Sequence, residues 1–463
     1  MLSTKVLSII VVAVVAVSAI GVSLVLLNDK GNSSGLKIDA ELEVYGNANK
    51  DGTIDKDDAD LIQKIIDGTE LFTEHPLADA NCDGSITEAD LELVEKIIGA
   101  DPKNKVRINI INHFDGGVYV QSVLYPVTAA VSTGAANTLL PFKYLGIHEE
   151  IKGLSYAGAP DATLFPEFQN LVGEDKRLST SATSMSAEKL SNLVTGSEKV
   201  TALITSDNRS YISSGSPNYT PTTYPGVDVV RIQPAAVDTG EYMSTILILA
   251  FLFDTDGKGY MEKCGQLVSW YKDFFAHLNS KLDGITNKVS AISSSSNNTV
   301  SAPTSDYTDM LLAAGATYPL NSIDWGGSAT KAYNKASDTW LNGYSDQIDY
   351  IIPMRTGTTS GTNVLSWYDG ADKNGGYAIL KGYAEQFSTM GAFFNENVYI
   401  VCGDMPVVLR IAYLAQTMYG DVLGDDFADN YHKDFIVKFF GWEESAIEGK
   451  KFCVSLADVG ITP

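Results

Sequence analysis

Two stretches of the chain set oxygen-bearing side chains at intervals that suit a hard cation. Residues 47–58 read NANKDGTIDKDD and residues 79–90 read DANCDGSITEAD, a repeat offset by 32 residues. Counted from the start of each stretch, positions 1, 3, 5 and 9 are Asn47, Asn49, Asp51 and Asp55, then Asp79, Asn81, Asp83 and Thr87. Position 6 is glycine in both, Gly52 and Gly84, where the chain must turn sharply. Position 7, Thr53 or Ser85, offers a backbone carbonyl, and position 12, Asp58 or Asp90, closes the set. Calcium takes six or more oxygens from a flexible loop, and this spacing converges them on one point. The sequence therefore predicts two bound Ca2+ ions. Ile54 and Ile86 follow position 7 and point toward a small core. Leu61, Ile62, Ile65 and Ile66, then Leu91, Val94, Ile97 and Ile98, recur at helical spacing after each loop.

The charge of the chain has the same address. The 463 residues hold 57 Asp plus Glu against 33 Lys plus Arg, a net −24, and residues 39–101 alone hold 18 acidic and 4 basic residues. More than half of the imbalance belongs to the segment with the two loops. A nucleic-acid or anionic-membrane surface needs clustered Lys and Arg, which this chain lacks, so no nucleic-acid partner is expected. The length favours two or three units, and 44% hydrophobic residues supply them with cores. Four cysteines, at 82, 264, 402 and 453, form no CxxC pair and read as buried small apolar residues.

Val6 to Leu27 is 22 residues without a charge, roughly 33 Å as a helix, enough to span a hydrocarbon core. The run continues eight residues past Val17-Ser18-Ala19, a tolerable cleavage site, so an uncleaved anchor is favoured over a cleaved signal segment. Lys5 precedes the span, which places the remainder outside the cell. A cell-membrane protein with one N-terminal transmembrane helix is expected, or a secreted one if the segment is removed.

The loop grammar is EF-hand-like, but position 12 is Asp rather than Glu, and a helix follows each loop with none in full before it. In this the segment over residues 39–101 resembles the dockerin family, tandem Asp-ended calcium loops that pair with a cohesin module. The resemblance implies calcium-dependent folding and docking. In that family loop positions 10 and 11 help contact cohesin; here they are Lys56-Asp57 and Glu88-Ala89, not the usual Ser-Thr-like pair. Packing of this module on its own chain is the alternative to a cohesin-like partner.

Beyond Pro102 the chain alternates short β-type runs with helical ones. Val106 to Ile111, Val127 to Val131, Val200 to Thr205, Val227 to Ile232, Ile348 to Ile352 and Val398 to Val401 read as strands. Helices are expected from a Ser186 cap through Leu193, over about Lys258 to Leu282, after Asp404 through Tyr419, and from Gly424 to Phe440. The "DTDGKG" at 254–259 reads as a turn between helices. Such alternation means an α/β fold with parallel sheets, most easily two.

The order of these pieces resembles the substrate-binding proteins of iron-chelate and cobalamin ABC importers, whose two lobes are joined by one long helix. The closing "LAQTMYGDVLGDDFADNYHKDFIVKFFGW" carries the resemblance most specifically. It implies a two-lobed periplasmic-binding-protein fold behind a small all-α calcium domain. The expected divisions are 1–35 anchor or signal segment, 36–102 calcium module, 105–255 N-terminal lobe, 256–284 connecting helix and 285–463 C-terminal lobe. Family members offer one acidic residue per lobe to their permease; Asn137 and Asp338 stand near those positions.

Ligands of two-sheet proteins lie at the carboxyl ends of strands, between lobes. That selects Ser132 and Thr133 at the first strand-to-helix turn, Tyr156 after the next strand, Arg209 in "SDNRSY", and Arg355 after Ile348 to Pro353. Trp325, in a Gly-rich loop, could cover a macrocycle. The leading expectation is an extracytoplasmic protein, not an enzyme, that hands a metal chelate of the iron-siderophore, haem or cobalamin class to an ABC permease. A cell-surface adhesion or scaffold-docked protein is the alternative, with a dockerin-bearing polysaccharide hydrolase behind it. The sequence has no GxSxG, HExxH or P-loop.

Overall fold

The computed structural model describes residues 39–114, 117–134, 136–156, 159–180, 185–207, 226–237, 239–255, 257–296, 299–323, 333–334, 340–360 and 363–463. The Val6–Leu27 segment, Arg209, Trp325 and Asp338 lie outside them. Among the described residues no helix is long and apolar enough to cross a membrane.

Each calcium loop runs directly into a helix, α1 (Lys56–Ile66) and α2 (Glu88–Gly99). Both start with a capping box formed by loop positions 9 and 12. The Asp55 and Thr87 side chains accept from the backbone of the first turn, while Asp58 and Asp90 reach back to the cap N–H. Ile62, Val94 and Ile97 turn inward onto Ala48 and Ala80. This small core does not close on itself. It is continuous with Ile108, Ile110 and Val123 of the next unit, because Val44 bridges antiparallel to Ile110. Tyr45 N–H donates to Asn109 O (2.8 Å) and Ile111 N–H to Glu43 O (3.0 Å), so residues 43–45 act as an extra strand.

That next unit opens with an antiparallel hairpin, β1 (Val106–Phe114) and β2 (Gly117–Tyr125), paired from Val106↔Tyr125 to Phe114↔Gly117. A five-stranded sheet follows: β3 (Ala130–Gly134), β4 (Ile151–Tyr156), β5 (Arg177–Ser179), β6 (Ala202–Ser206) and β7 (Asp228–Ile232). Its order is β5-β4-β3-β6-β7, with every pair parallel. Strands β3 and β6 are buried along their whole length, as expected of a parallel sheet covered on both faces. Helix α3 (Ala136–Leu145) follows β3, and α4 (Ala187–Thr195) is capped by Ser186 as its sequence predicts.

Two helices then lead out of this lobe. One, α5 (Thr239–Phe253), was not expected: its run ILILAFLF is apolar on every side, so it has no periodicity to read. The other, α6 (Tyr260–Leu282), is the expected long helix. The turn between them is fixed by Asp254, whose carboxylate accepts from the N–H groups of Gly259, Tyr260 and Met261 at 2.9–3.2 Å.

Helix α6 packs against α3 and α5 on one side and the C-terminal helices on the other. Tyr271 stacks on Tyr242 of α5, while Trp270 packs edge-on to Phe435 and bonds Asp434 through Nε1 (2.6 Å). The helix expected from Gly424 to Phe440 is present as Phe427–Phe435 and ends in a π turn, Ile436–Phe440.

The second lobe is built on a mixed sheet. Ala291–Ile292 and Tyr350–Ile351 pair parallel, Met354–Arg355 and Tyr399–Cys402 pair parallel, and Cys453–Ser455 closes one edge antiparallel. The Ile351↔Val398 bridge joins the two parts. Cys264 and Cys402 are buried, Cys453 is half-buried and Cys82, at loop position 4, is exposed.

Candidate functional site

In the first loop Asn47 is fully buried. Its Nδ2 donates to the carbonyls of Leu42 and Asp51, both at 2.7 Å, which leaves Oδ1 buried without a hydrogen-bond donor. Asn49 Oδ1 accepts from Asp51 N–H (2.9 Å), and Asp51 accepts from Thr53 N–H (2.8 Å). Asp55 accepts from Asp57 N–H (2.8 Å). Asp58 is also fully buried and accepts from the N–H groups of Asn49 (3.1 Å) and Asp55 (2.9 Å). Burial pushes its carboxyl up to about 7 against those two bonds, and the nearby charges of Asp51 and Asp55 add to the rise.

The second loop repeats the plan. Asp79 accepts from Asp83 N–H (3.1 Å) and Gly84 N–H (2.8 Å), Asn81 Oδ1 from Asp83 N–H (2.8 Å), and Asp83 from Ser85 N–H (2.9 Å). Buried Asp90 accepts from the N–H groups of Asn81 (3.1 Å) and Thr87 (2.9 Å). Burial raises the carboxyl of Asp79, with Asp90 and Asp83 contributing. An orphaned buried amide oxygen and inward-facing carboxylates without a cationic side chain among the described ion pairs are what a hard divalent cation would complete. The residues present fit calcium. Loop positions 10 and 11 stay open in both repeats: Lys56, Asp57, Glu88 and Ala89 are all exposed.

Of the six ligand candidates, three gather at the carboxyl end of the first sheet. Ser132 and Thr133 are buried in β3, beside Ser155 and Tyr156 of β4. Thr133 Oγ1 lies 2.7 Å from Thr205 Oγ1, and Ser132 Oγ is buried without a partner. Arg355 is exposed in the second lobe, where its carbonyl accepts from Gly403 N–H (2.6 Å). The last two, Arg209 and Trp325, are outside the described residues. Asn137, read as a permease-facing position, is half-buried in α3.

A cavity of about 390 Å³ opens where β6 and β7 end, against the helix Asp306–Ala313 of the second lobe. Asp207, Gln233, Glu241, Asp306 and Asp309 supply its polar lining, and none of the six candidates does. Burial raises the carboxyl of Asp309, with Asp306 adding to it. The signal in the sequence for this site is Asp207, the residue after β6, two positions before Arg209. A second lobe-to-lobe contact centres on Ser366. Its N–H and hydroxyl reach Asp161 of the first lobe (3.2 and 2.9 Å) and Asp369 of the second (2.9 and 3.4 Å).

No curated protein matches the chain in sequence. Among solved structures it is similar to the TroA-like periplasmic binding protein FepB from Veillonella parvula. That match has 13% identity and a TM-score of 0.49, covering 73% of this chain and 97% of that one. It is also similar to Helicobacter pylori CeuE with Ni(II) bound (14%, TM-score 0.47, 73% and 98% covered). A periplasmic heme binding protein from Pseudomonas aeruginosa is a third (13%, TM-score 0.43, 64% and 94% covered). Within the N-terminal segment, where the two loops and their capped helices lie, residues 45–99 match the family model of the dockerin type I domain, a family that binds calcium.

Proposed function

We propose that the chain is an extracytoplasmic solute-binding protein of an ABC importer, held at the membrane by its N-terminal segment and carrying a dockerin-type module with two calcium ions. One observation carries this reading: two α/β lobes joined through one long helix meet at an open polar cavity beside the carboxyl ends of β6 and β7. The reading requires no catalysis. The ligand class, a metal chelate of the iron-siderophore, haem or cobalamin type, rests on the sequence resemblance. Thermal shift and native mass spectrometry on the full chain in detergent, against ferric chelates, haem, cobalamins and oxyanions, test it. A panel without any binder overturns the importer role.

A second reading is docking to a cohesin-like partner. It is favoured by the exposure of loop positions 10 and 11 in both repeats while the other face of the module is used internally. Calcium-dependent capture by a panel of cohesin modules tests it, and absence of capture with calcium present leaves the internal contact as the module's role.

A further inference from the structure

The connector between the two loops brings together three side chains of metal-ligating type. Glu70, Glu74 and His75 each offer one atom, and these atoms all lie within 4.8 Å of one another. Glu74 ends a 3-10 turn, Phe72–Glu74, His75 links it to a second, Pro76–Ala78, and Glu70 lies two residues before the first. The backbone there is pinned: Glu74 N–H donates to Leu71 O (3.1 Å), His75 N–H to Phe72 O (2.9 Å) and Ala78 N–H to His75 O (3.0 Å).

The His75 ring is held from behind as well. Its Nδ1 is 3.1 Å from the carbonyl oxygen of Ala48, which can only accept, so Nδ1 carries the proton and Nε2 keeps its lone pair. A backbone carbonyl that fixes tautomer and ring orientation is the usual outer support of a metal-binding imidazole. It comes from outside the cluster.

We propose that Glu70, Glu74 and His75 form a site for a first-row divalent cation of zinc-like preference, separate from the calcium loops. One imidazole with two carboxylates suits a borderline ion, whereas the loops offer oxygen alone and suit calcium. Around a tetrahedral ion at ~2.1 Å, ligand atoms stand about 3.4 Å apart, so the two exposed glutamates need only a modest rotamer adjustment. Three protein ligands leave a fourth position for water or a group from a partner. The site touches the first loop through Ala48, which lies between Asn47 and Asn49. An ion here therefore stiffens the backbone that presents both.

The test is calorimetric titration of Zn2+ into the full chain in detergent with calcium held saturating. One zinc ion per chain is expected, lost in His75→Ala and in the pair Glu70→Gln with Glu74→Gln. Absence of zinc binding by the unaltered protein overturns the proposal. So does full stoichiometry in the variants, which would assign the ion to one of the other histidines. The glutamine pair lies on exposed side chains and keeps the test decisive if His75→Ala fails to fold. Calcium-dependent melting, measured in parallel, reports the calcium loops independently, so the two metal assignments fail or stand separately.

Discussion

Val44 of the calcium-binding segment pairs antiparallel with Ile110 of the first strand beyond it, and the two side chains are fully buried in one continuous core. Around this contact Glu43 reaches His113 Nε2 (2.7 Å) and Ser244 of α5, and Asn109 Nδ2 donates to Ala80 O (3.1 Å). The module is thereby tied to the hairpin and to α5 at once.

Removing apolar volume at this contact should cost stability in both units. Ile110→Ala is expected to cost ~2–5 kcal/mol and to split a shared calorimetric transition into two. A single transition of unchanged cooperativity would contradict the shared core.

Calcium should stabilise more than its own loops. In the unaltered protein, chelation is expected to lower the melting temperature of the module and of the hairpin packed on it. Asp51→Ala with Asp83→Ala should abolish the difference between calcium and chelator. Identical melting of the unaltered protein with and without chelator would refute two structural calcium sites.

His432 predicts a pH dependence. Its ring is fully buried in the second lobe, with Nε2 2.9 Å from the Tyr368 hydroxyl and Nδ1 3.2 Å from that of Tyr413. Burial pushes it down to about 3, against an unfolded value near 6.5. Between those values the unfolded chain binds more protons than the folded one, so this contribution is complete above about pH 6.5 and is lost as pH falls. The slope approaches about 1.4 kcal/mol per pH unit. Urea midpoints between about pH 6.5 and 5 should fall in the unaltered protein and flatten in His432→Gln.

The contact at Ser366 predicts the opposite sign. Asp161 and Asp369 share the donors of one residue across the lobes, and burial first, then the Asp369 carboxylate, raises the carboxyl of Asp161. A raised carboxyl contributes stability below its unfolded value and loses it as pH rises through the folded one. Asp161→Asn should therefore be relatively more stable than the unaltered protein at pH 7 than at pH 4, read by thermal midpoints. An equal difference at both values would remove the charge from the explanation.

The two loops of the dockerin-type segment were legible in the sequence because the oxygen-bearing side chains of each fall within one short stretch, so spacing alone brings them together. The parallel strands and the Ser186 cap were legible for the same local reason. Helix α5 was hidden because burial on every side erases the polar stripe that gives a helix its period. The cavity was hidden because Asp207, Gln233, Glu241 and Asp309 are far apart in sequence and meet only through the crossing of β6, β7 and α5 against the second lobe. Ser132 and Thr133 stand at a strand end, but side chains in a doubly covered sheet also face inward, and Thr133 spends its hydroxyl on Thr205.

The strand at residues 43–45 has a mechanical consequence. A module joined by a free linker would swivel against the first lobe, but here residues 43–45 are themselves a rung of the ladder that begins it. Torque applied to the module passes directly into that lobe. The cleft is thus presented at a set angle to whatever holds the module, as by a bracket rather than a leash.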